Sequence, residues 1–334
     1  MTKPTVTVLA LGGTIAMTRS DQGGVVPTLT GEMLVAAVPA LTEVAAIDAR
    51  SFRQVPGAHL RFDDLEALAD AVAEAVAGGA RGVVVTQGTD TIEETAFALD
   101  RLLDIEAPVV VTGAMRNPTV PGVDGPANLL AAVQVAGSEA ARGLGCVVVL
   151  NDEIHAARFV RKTHTSSPAA FTSPLAGPIG WIGEGNVRLA LRVENVPALS
   201  RTRTADDARV ALVTVALGDD GTLIDAARQA GFAGMVVEAT GGGHVAPAVA
   251  DALERAATAM PVVLASRTGA GEVLARTYGF PGGEIDLQRR GLIRAGWLDG
   301  LKAKVLLTLL LRRGQSGRKD VSAAFRPWGG GAEG

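Results

Sequence analysis

The chain reads as an α/β protein in two parts: a larger N-terminal domain with a mostly parallel sheet flanked by helices, then a smaller C-terminal α/β domain. Two observations predict this. Short β-branched runs with no polar alternation recur between stretches of helical spacing, and such runs are strands buried on both faces, as in a parallel sheet. The same alternation starts again after residue 208, beyond a polar stretch that follows neither period.

In chain order, the first strand is Val6-Thr-Val-Leu-Ala-Leu11. Leu65, Leu68, Ala69, Val72 and Val76 then recur at spacings of three, four and seven, which predicts an amphipathic helix over 64–77. Further strands are read in Gly82-Val-Val-Val-Thr86, Pro108-Val-Val-Val-Thr112 and Cys146-Val-Val-Val-Leu150. Thr91-Ile-Glu-Glu94 has the order of a capping box, so a helix over 92–103 is expected, with Thr91 as its cap and Glu94 reaching back to the cap's backbone N–H. The second unit repeats the theme with strands at 210–215, 234–238 and 261–265 and helices from about Thr222 and from Pro247. These elements place an N-terminal domain at 1–190, a linker at 191–207 and a C-terminal domain at 208–334, with the glycine-rich tail from about 314 expected to fray.

Of the 334 residues, 48% are hydrophobic, 20% charged and 4% aromatic, the composition of a packed globular protein. The formal net charge of −4 comes from interspersed signs, so neither nucleic acid nor membrane is expected as a partner. Cys146 has no second cysteine to pair with and reads as a buried structural thiol. The four histidines and one cysteine lack zinc-ligand spacing, so no metal is expected. Neither a P-loop nor a complete dinucleotide fingerprint is present, so no cofactor is expected, and the serine-hydrolase elbow is missing too. The apolar start, 6–16, is interrupted by Gly12-Gly13, is far shorter than a membrane span and lacks a signal-cleavage pattern, which makes the cytoplasm the expected location.

Ligands of open parallel sheets gather outside the carboxyl ends of the strands. Two loops there carry hydroxyls: Leu11-Gly-Gly-Thr-Ile-Ala16 and Thr86-Gln-Gly-Thr-Asp-Thr91. Glycines allow a tight turn that exposes Thr14, and backbone N–H groups beside Gly88, Thr89 and Asp90 at a helix start suit a carboxylate or a developing oxyanion. Each piece also has a plainer reading. Gly12-Gly13-Thr14 reads equally as a turn, Thr89 to Thr91 as a cap with spare hydroxyls, and Lys162 beside Arg161 as a solvated cation.

Taken together and in order, Gly12-Gly-Thr-Ile-Ala16, Thr86-Gln-Gly-Thr-Asp-Thr91, Met115-Arg116, Asp124-Gly-Pro-Ala-Asn128, Ala157-Arg-Phe-Val-Arg-Lys-Thr-His164, Ala265-Ser-Arg-Thr-Gly269 and Gly283-Glu284 resemble the bacterial-type L-asparaginase family over about residues 5–312. The resemblance implies a hydrolase of a small amino-acid amide in asparagine metabolism. Thr14 would attack the amide to form an acyl-enzyme, with Thr89, Asp90 and Lys162 as second hydroxyl, carboxylate and lysine. Lysine's reference pKa of about 10.4 makes it a poor base until burial or cationic neighbours neutralise it, so Asp90 is read chiefly as the partner of the substrate's α-ammonium. The resemblance also implies a homodimer or homotetramer, with Glu284 reaching a neighbouring subunit's site and His244 standing where the family presents an asparagine.

Two departures stand out. Residues 17–30 contain no tyrosine, where the family usually has one on the mobile loop, although Gly23-Gly24 and the polar run Thr18 to Gln22 fit a mobile lid. Tyr278, the chain's single tyrosine, is the candidate for the missing phenol, against a plainer reading as a half-buried loop aromatic. Where the family binds the substrate's α-carboxylate with a serine, this chain has Gly57, followed by Ala58. A mixed glutaminase-asparaginase, a non-catalytic amino-acid-binding protein and the amidase half of a tRNA-dependent transamidation complex remain open as alternatives.

Overall fold

The structure, a computed structural model, describes residues 3–13, 15, 17–19, 25–27, 30–205 and 207–331, with backbone alone for 17–19 and 25–27. The chain forms two compact units, Met1–Ala198 and Leu199–Gly334. In the first, β1 (Thr5–Ala10) is followed by the antiparallel pair β2 (Met17–Arg19) and β3 (Val25–Pro27), then α1 (Gly31–Ala36), α2 (Leu41–Val44), β4 (Ala46–Ser51), α3 (Phe62–Ala77), β5 (Gly82–Thr86), α4 (Ile92–Leu102), β6 (Val109–Thr112) and α5 (Gly125–Gly137). After β7 (Cys146–Leu150) come β8 (Glu153–Ala156), β9 (Arg161–Lys162), β10 (Phe171–Thr172), β11 (Gly180–Gly183) and β12 (Asn186–Leu189).

Among the described residues the main sheet has eight strands in the order β12-β11-β8-β7-β6-β5-β1-β4. The five from β4 to β7 are parallel, and the last three are added antiparallel. Val6, Val8 and Ala10 face a core shared with α1, α2 and α5, while α3 and α4 pack on the opposite face. Both faces are thus covered, which is why the inner strands β5, β6 and β7 read as near-continuous apolar runs, whereas the edge strand β4 carries Asp48, Arg50 and Ser51. At about 1.5–3 kcal/mol for each fully buried aliphatic side chain, this layer is the unit's main source of stability. Its topology also creates a fork. The chain leaving β1 goes to α1 on one face, the chain leaving the adjacent β5 goes to α4 on the other, and the loops between them diverge.

The second unit contains β13 (Val210–Thr214), α6 (Thr222–Gln229), β14 (Gly234–Ala239), α7 (Pro247–Ala257), β15 (Val262–Ser266), α8 (Glu284–Arg289), β16 (Ile293–Arg294), α9 (Gly300–Leu311) and α10 (Arg318–Phe325). Its four strands run parallel in sequence order around a separate apolar core.

The expected architecture is therefore the one found, with three local differences. Thr91 does not cap α4 with its side chain. Its hydroxyl instead donates to the Gly57 carbonyl at 3.0 Å, a tertiary bond that competes with the cap. The tail expected to fray from about 314 forms α10 and a turn to Trp328, because Val321, Phe325 and Trp328 are fully buried. Residues 194–196, inside the span read as a linker, are held on the first unit: Arg101 donates to the Val196 carbonyl at 3.1 Å and Arg158 to the Glu194 carbonyl at 2.6 Å. Both guanidiniums surround the buried Asp100 carboxylate, at 2.7 and 3.4 Å, which offsets the cost of burying them.

The α10 packing has a measurable consequence. Phe325→Ala is expected to destabilise the protein by about 3–5 kcal/mol through the cavity it leaves, read as a lower urea midpoint by circular dichroism; a frayed tail predicts no shift.

Candidate active site

The fork between β1 and β5 is closed by direct backbone contact. Leu11 N–H donates to the Thr86 carbonyl at 2.8 Å, and Val55 N–H donates to the Leu11 carbonyl at 3.0 Å, so three segments are stitched side by side just past the strand ends. Gly13 has φ +85°, and a Cβ placed on it would stand 2.1 Å from the Gly88 nitrogen. A Cβ on Gly57 would come within 2.8 Å of the Gly88 carbonyl oxygen. The convergence of Gly13, Gly57 and Gly88 therefore admits no side chain at the first position and leaves little room at the second. Thr14 itself lies outside the described residues, as do residues 20–24 of the expected lid.

From this junction Thr89 to Thr91 make one 3-10 turn that runs into α4. Thr89 is buried and Asp90 exposed. Across from them, Lys162 on β9 places its Nζ 3.0 Å from Thr89 Oγ1 and 3.0 Å from Asp90 Oδ1. The Lys162 amino group thus links a hydroxyl and a carboxylate, both at hydrogen-bond distance. Residues 72 or 73 positions apart in the chain meet here, which no spacing rule anticipates. The Lys162 backbone is fixed too: its N–H donates to Glu93 Oε1 at 3.1 Å, from the first turn of α4.

Gln87 and Thr91 hold the turn's shape. Gln87 Nε2 donates to the Gly88 carbonyl and to Thr91 Oγ1, each at 3.3 Å, and Thr91 in turn donates to Gly57. On the neighbouring loop the Asp124 carboxylate accepts the N–H groups of Met115 and Arg116 at 2.9 and 2.8 Å, while Asn128 donates to the Gly113 carbonyl at 3.0 Å. These bonds fix the chain around the buried Ala114. Glu93 was missed in the sequence because a buried acid in a helix's first turn looks like a dipole partner; its burial is a tertiary fact. Ala58 is exposed at the surface of the turn Gly57–His59.

Glu284 and Tyr278 belong to the second unit, where they meet each other. Glu284 is fully buried, and its Oε1 accepts the N–H groups of Thr277 and Tyr278, both at 2.7 Å. His244 Nε2 stands 3.1 Å from Glu284 Oε2, and the His244 ring makes edge contacts with Tyr278 and Phe280 at 4.8 and 5.2 Å. Tyr278 and Phe280 are close to half exposed. Burial alone would push the Glu284 carboxyl up, but the bonds from backbone N–H groups and from His244 outweigh it and hold the pKa below the ordinary 4.5. Cys146 lies buried in β7, and burial pushes its thiol well above the usual 9.0, with Asp100 adding to the shift.

Residues 5–194 match the family model described as Asparaginase, N-terminal, and residues 209–325 match that of the Glutaminase/Asparaginase C-terminal domain. A probable L-asparaginase of Deinococcus radiodurans is 37% identical over 327 residues, 96% of this chain and 97% of that protein. An L-asparaginase of Bacillus licheniformis is 34% identical over 319 residues, 94% of this chain and 98% of that one. The crystal structure of a probable cytoplasmic L-asparaginase from Campylobacter jejuni superposes with a TM-score of 0.88 at 30% identity, covering 97% of this chain and 99% of its own.

Two outcomes follow from the geometry. Gly79 has φ +100° with open space around it, so Gly79→Ala should cost only the roughly 1–2 kcal/mol of a left-handed residue, whereas Gly13→Ala should cost more because a backbone overlap is added. Parallel denaturant titrations compare them, and equal losses would contradict the packing described. For Glu284, a depressed carboxyl contributes stability that is complete above its unfolded pKa and is lost as pH falls through the lower folded value. Glu284→Gln should therefore flatten the acid limb of the stability profile below about pH 4.5; an unchanged limb would refute the assignment.

Proposed function

Because the chain belongs to the asparaginase family, we propose that it is an L-asparaginase-type amidohydrolase that releases ammonia from L-asparagine and leaves L-aspartate. The observation that carries this reading is the contact of Lys162 Nζ with both Thr89 and Asp90, at the strand-end fork where a ligand of a parallel sheet belongs.

In the proposed reaction Thr14 Oγ attacks the side-chain amide carbon, and its proton passes through Thr89 to a neutral Lys162 Nζ, which returns it to the leaving nitrogen. Collapse of the tetrahedral intermediate breaks the C–N bond, the nitrogen receives a proton and ammonia leaves, and an ester to Thr14 remains. Water then attacks the ester carbon and frees the acid. Backbone N–H groups at Gly88 and Thr89, with the positive end of the α4 dipole behind them, suit the oxyanion of both steps. Asp90, exposed and carboxylate-bearing, serves as partner for the α-ammonium. The opening N–H groups of the turn at Gly57 and Ala58 have no acceptor within the turn and take the α-carboxylate in place of a serine. Tyr278 supplies the phenol absent from residues 17–30, and Glu284 joins the amino-acid end of the substrate; both act across a subunit interface in a homodimer or homotetramer. We place the enzyme in the cytoplasm, like its Campylobacter jejuni neighbour. No helix among the described residues is long and apolar enough to cross a membrane.

The test is ammonia release with L-asparagine and L-glutamine, since one methylene discriminates by only about 1–3 kcal/mol. Thr14→Ala is expected to abolish turnover. Lys162→Met should lower kcat by about 10²–10⁴-fold, the range of a proton-transfer group, with KM little changed, and Tyr278→Phe should lower kcat as well. Binding of L-asparagine without turnover in the unmodified protein would replace this reading with an amino-acid-binding protein.

A further inference from the structure

Lys162 sits on a strand pair that cannot hold itself in place. β9 and β10 have two residues each, with Lys162 opposite Phe171 and Arg161 opposite Thr172, and an isolated pair of that length is marginal in water. Residues 156–172 form an excursion that leaves the main sheet at the end of β8, and the chain rejoins that sheet at β11, from Gly180.

The two ends of this excursion are joined by side chains. His155, on β8 opposite Val148 of β7, is buried, and its Nδ1 lies 2.9 Å from Oγ of Ser173, also buried. On the imidazole's other side Nε2 stands 3.2 Å from Oε2 of Glu153, the first residue of β8. Burial lowers the His155 pKa from 6.5, and Glu153 pulls it partly back. With Nδ1 accepting the Ser173 hydroxyl proton, the neutral ring carries its own proton on Nε2, which lies toward Glu153 but makes no hydrogen bond. Inside the excursion, Thr163 N–H donates to the Ala170 carbonyl at 2.7 Å, and Ala170 and Phe171 are buried. A shift at Ser173 is therefore carried through β10 to β9 and to the lysine.

We propose that the His155–Ser173 bond is a clasp at the neck of this excursion that holds Lys162 in register with Thr89, which makes both residues positioning residues for the reaction. The inference rests on the role proposed above for Lys162. A misplacement of about 1 Å in a reacting group costs on the order of 10²-fold in rate, so the clasp acts on kcat and leaves substrate affinity nearly intact.

The experiment uses the full-length protein with Ser173→Ala, His155→Leu, the double variant and His155→Asn, whose Oδ1 takes the place of the Nδ1 acceptor. Steady-state kinetics are paired with a readout independent of turnover: the rate at which an amine-reactive reagent modifies Lys162 relative to the exposed Lys319, mapped by mass spectrometry. Ser173→Ala and His155→Leu should each lower kcat by about 10- to 100-fold with KM changed less than about threefold and accelerate Lys162 labelling. The double variant should be no worse than the singles, since they break one bond, and His155→Asn should restore much of the rate. Unchanged Lys162 labelling in Ser173→Ala, or additive losses in the double variant, overturns the clasp. Ser173→Ala removes a single oxygen and carries the test alone if His155→Leu does not fold. Should Lys162→Met retain full turnover, the lysine's proposed role fails, while the labelling result still decides the clasp.

Discussion

The first unit depends on a backbone-to-backbone contact at the fork between β1 and β5. Gly13, Gly57 and Gly88 come from three loops, and they approach so closely that a Cβ at Gly13 would overlap the Gly88 nitrogen. Such contact leaves main-chain N–H groups, and not side chains, as the floor of the candidate site. It also sets the distance between the loop that carries Thr14 and the turn that carries Thr89 and Asp90. The rigid, doubly covered sheet behind the fork is what allows loops to be held this way.

Around that floor the polar residues are arranged in successive supports. Lys162 bridges Thr89 and Asp90, Glu93 holds the lysine's backbone, and Gln87 and Thr91 hold the turn against Gly57. Each support is a residue that a surface reading would leave in solvent. Their burial is tolerable because each residue meets at least one polar partner, Gln87 through its Nε2 and not its Oε1, and in a low-dielectric setting such bonds are strong and their geometry narrow. The Asp100–Arg101–Arg158 cluster follows the same rule farther from the site, tying residues 194–196 to α4 and β7 with one buried carboxylate between two guanidiniums.

The second unit has its own core and its own buried acid. The Glu284 carboxyl is held below its ordinary pKa although burial pushes it up, because two backbone N–H groups and His244 converge on it. Its neighbours Tyr278 and Phe280 remain half exposed, so a fixed negative charge lies beneath an aromatic surface. In the asparaginase reading that combination suits contact with an amino-acid ammonium group.

Sequence by itself determined the two-unit α/β plan, since apolar β-branched runs separated by amphipathic helices bury both faces of a sheet and have few other solutions. It also determined the two strand-end loops, because glycines followed by hydroxyls are legible locally. The antiparallel edge of the main sheet went unread although it carried a signal: Asn151 and Asp152 both have positive φ, the hairpin turn between β7 and β8. What tertiary structure alone decided is which residues meet. Lys162 and Thr89 lie 73 positions apart, Thr91 gives its hydroxyl to Gly57 instead of its own helix, and Phe325 and Trp328 order a tail that composition marks as loose. Local propensity is worth a few tenths to about 1 kcal/mol per residue, whereas a buried aromatic is worth several times that, so packing overrides the local reading wherever the two disagree.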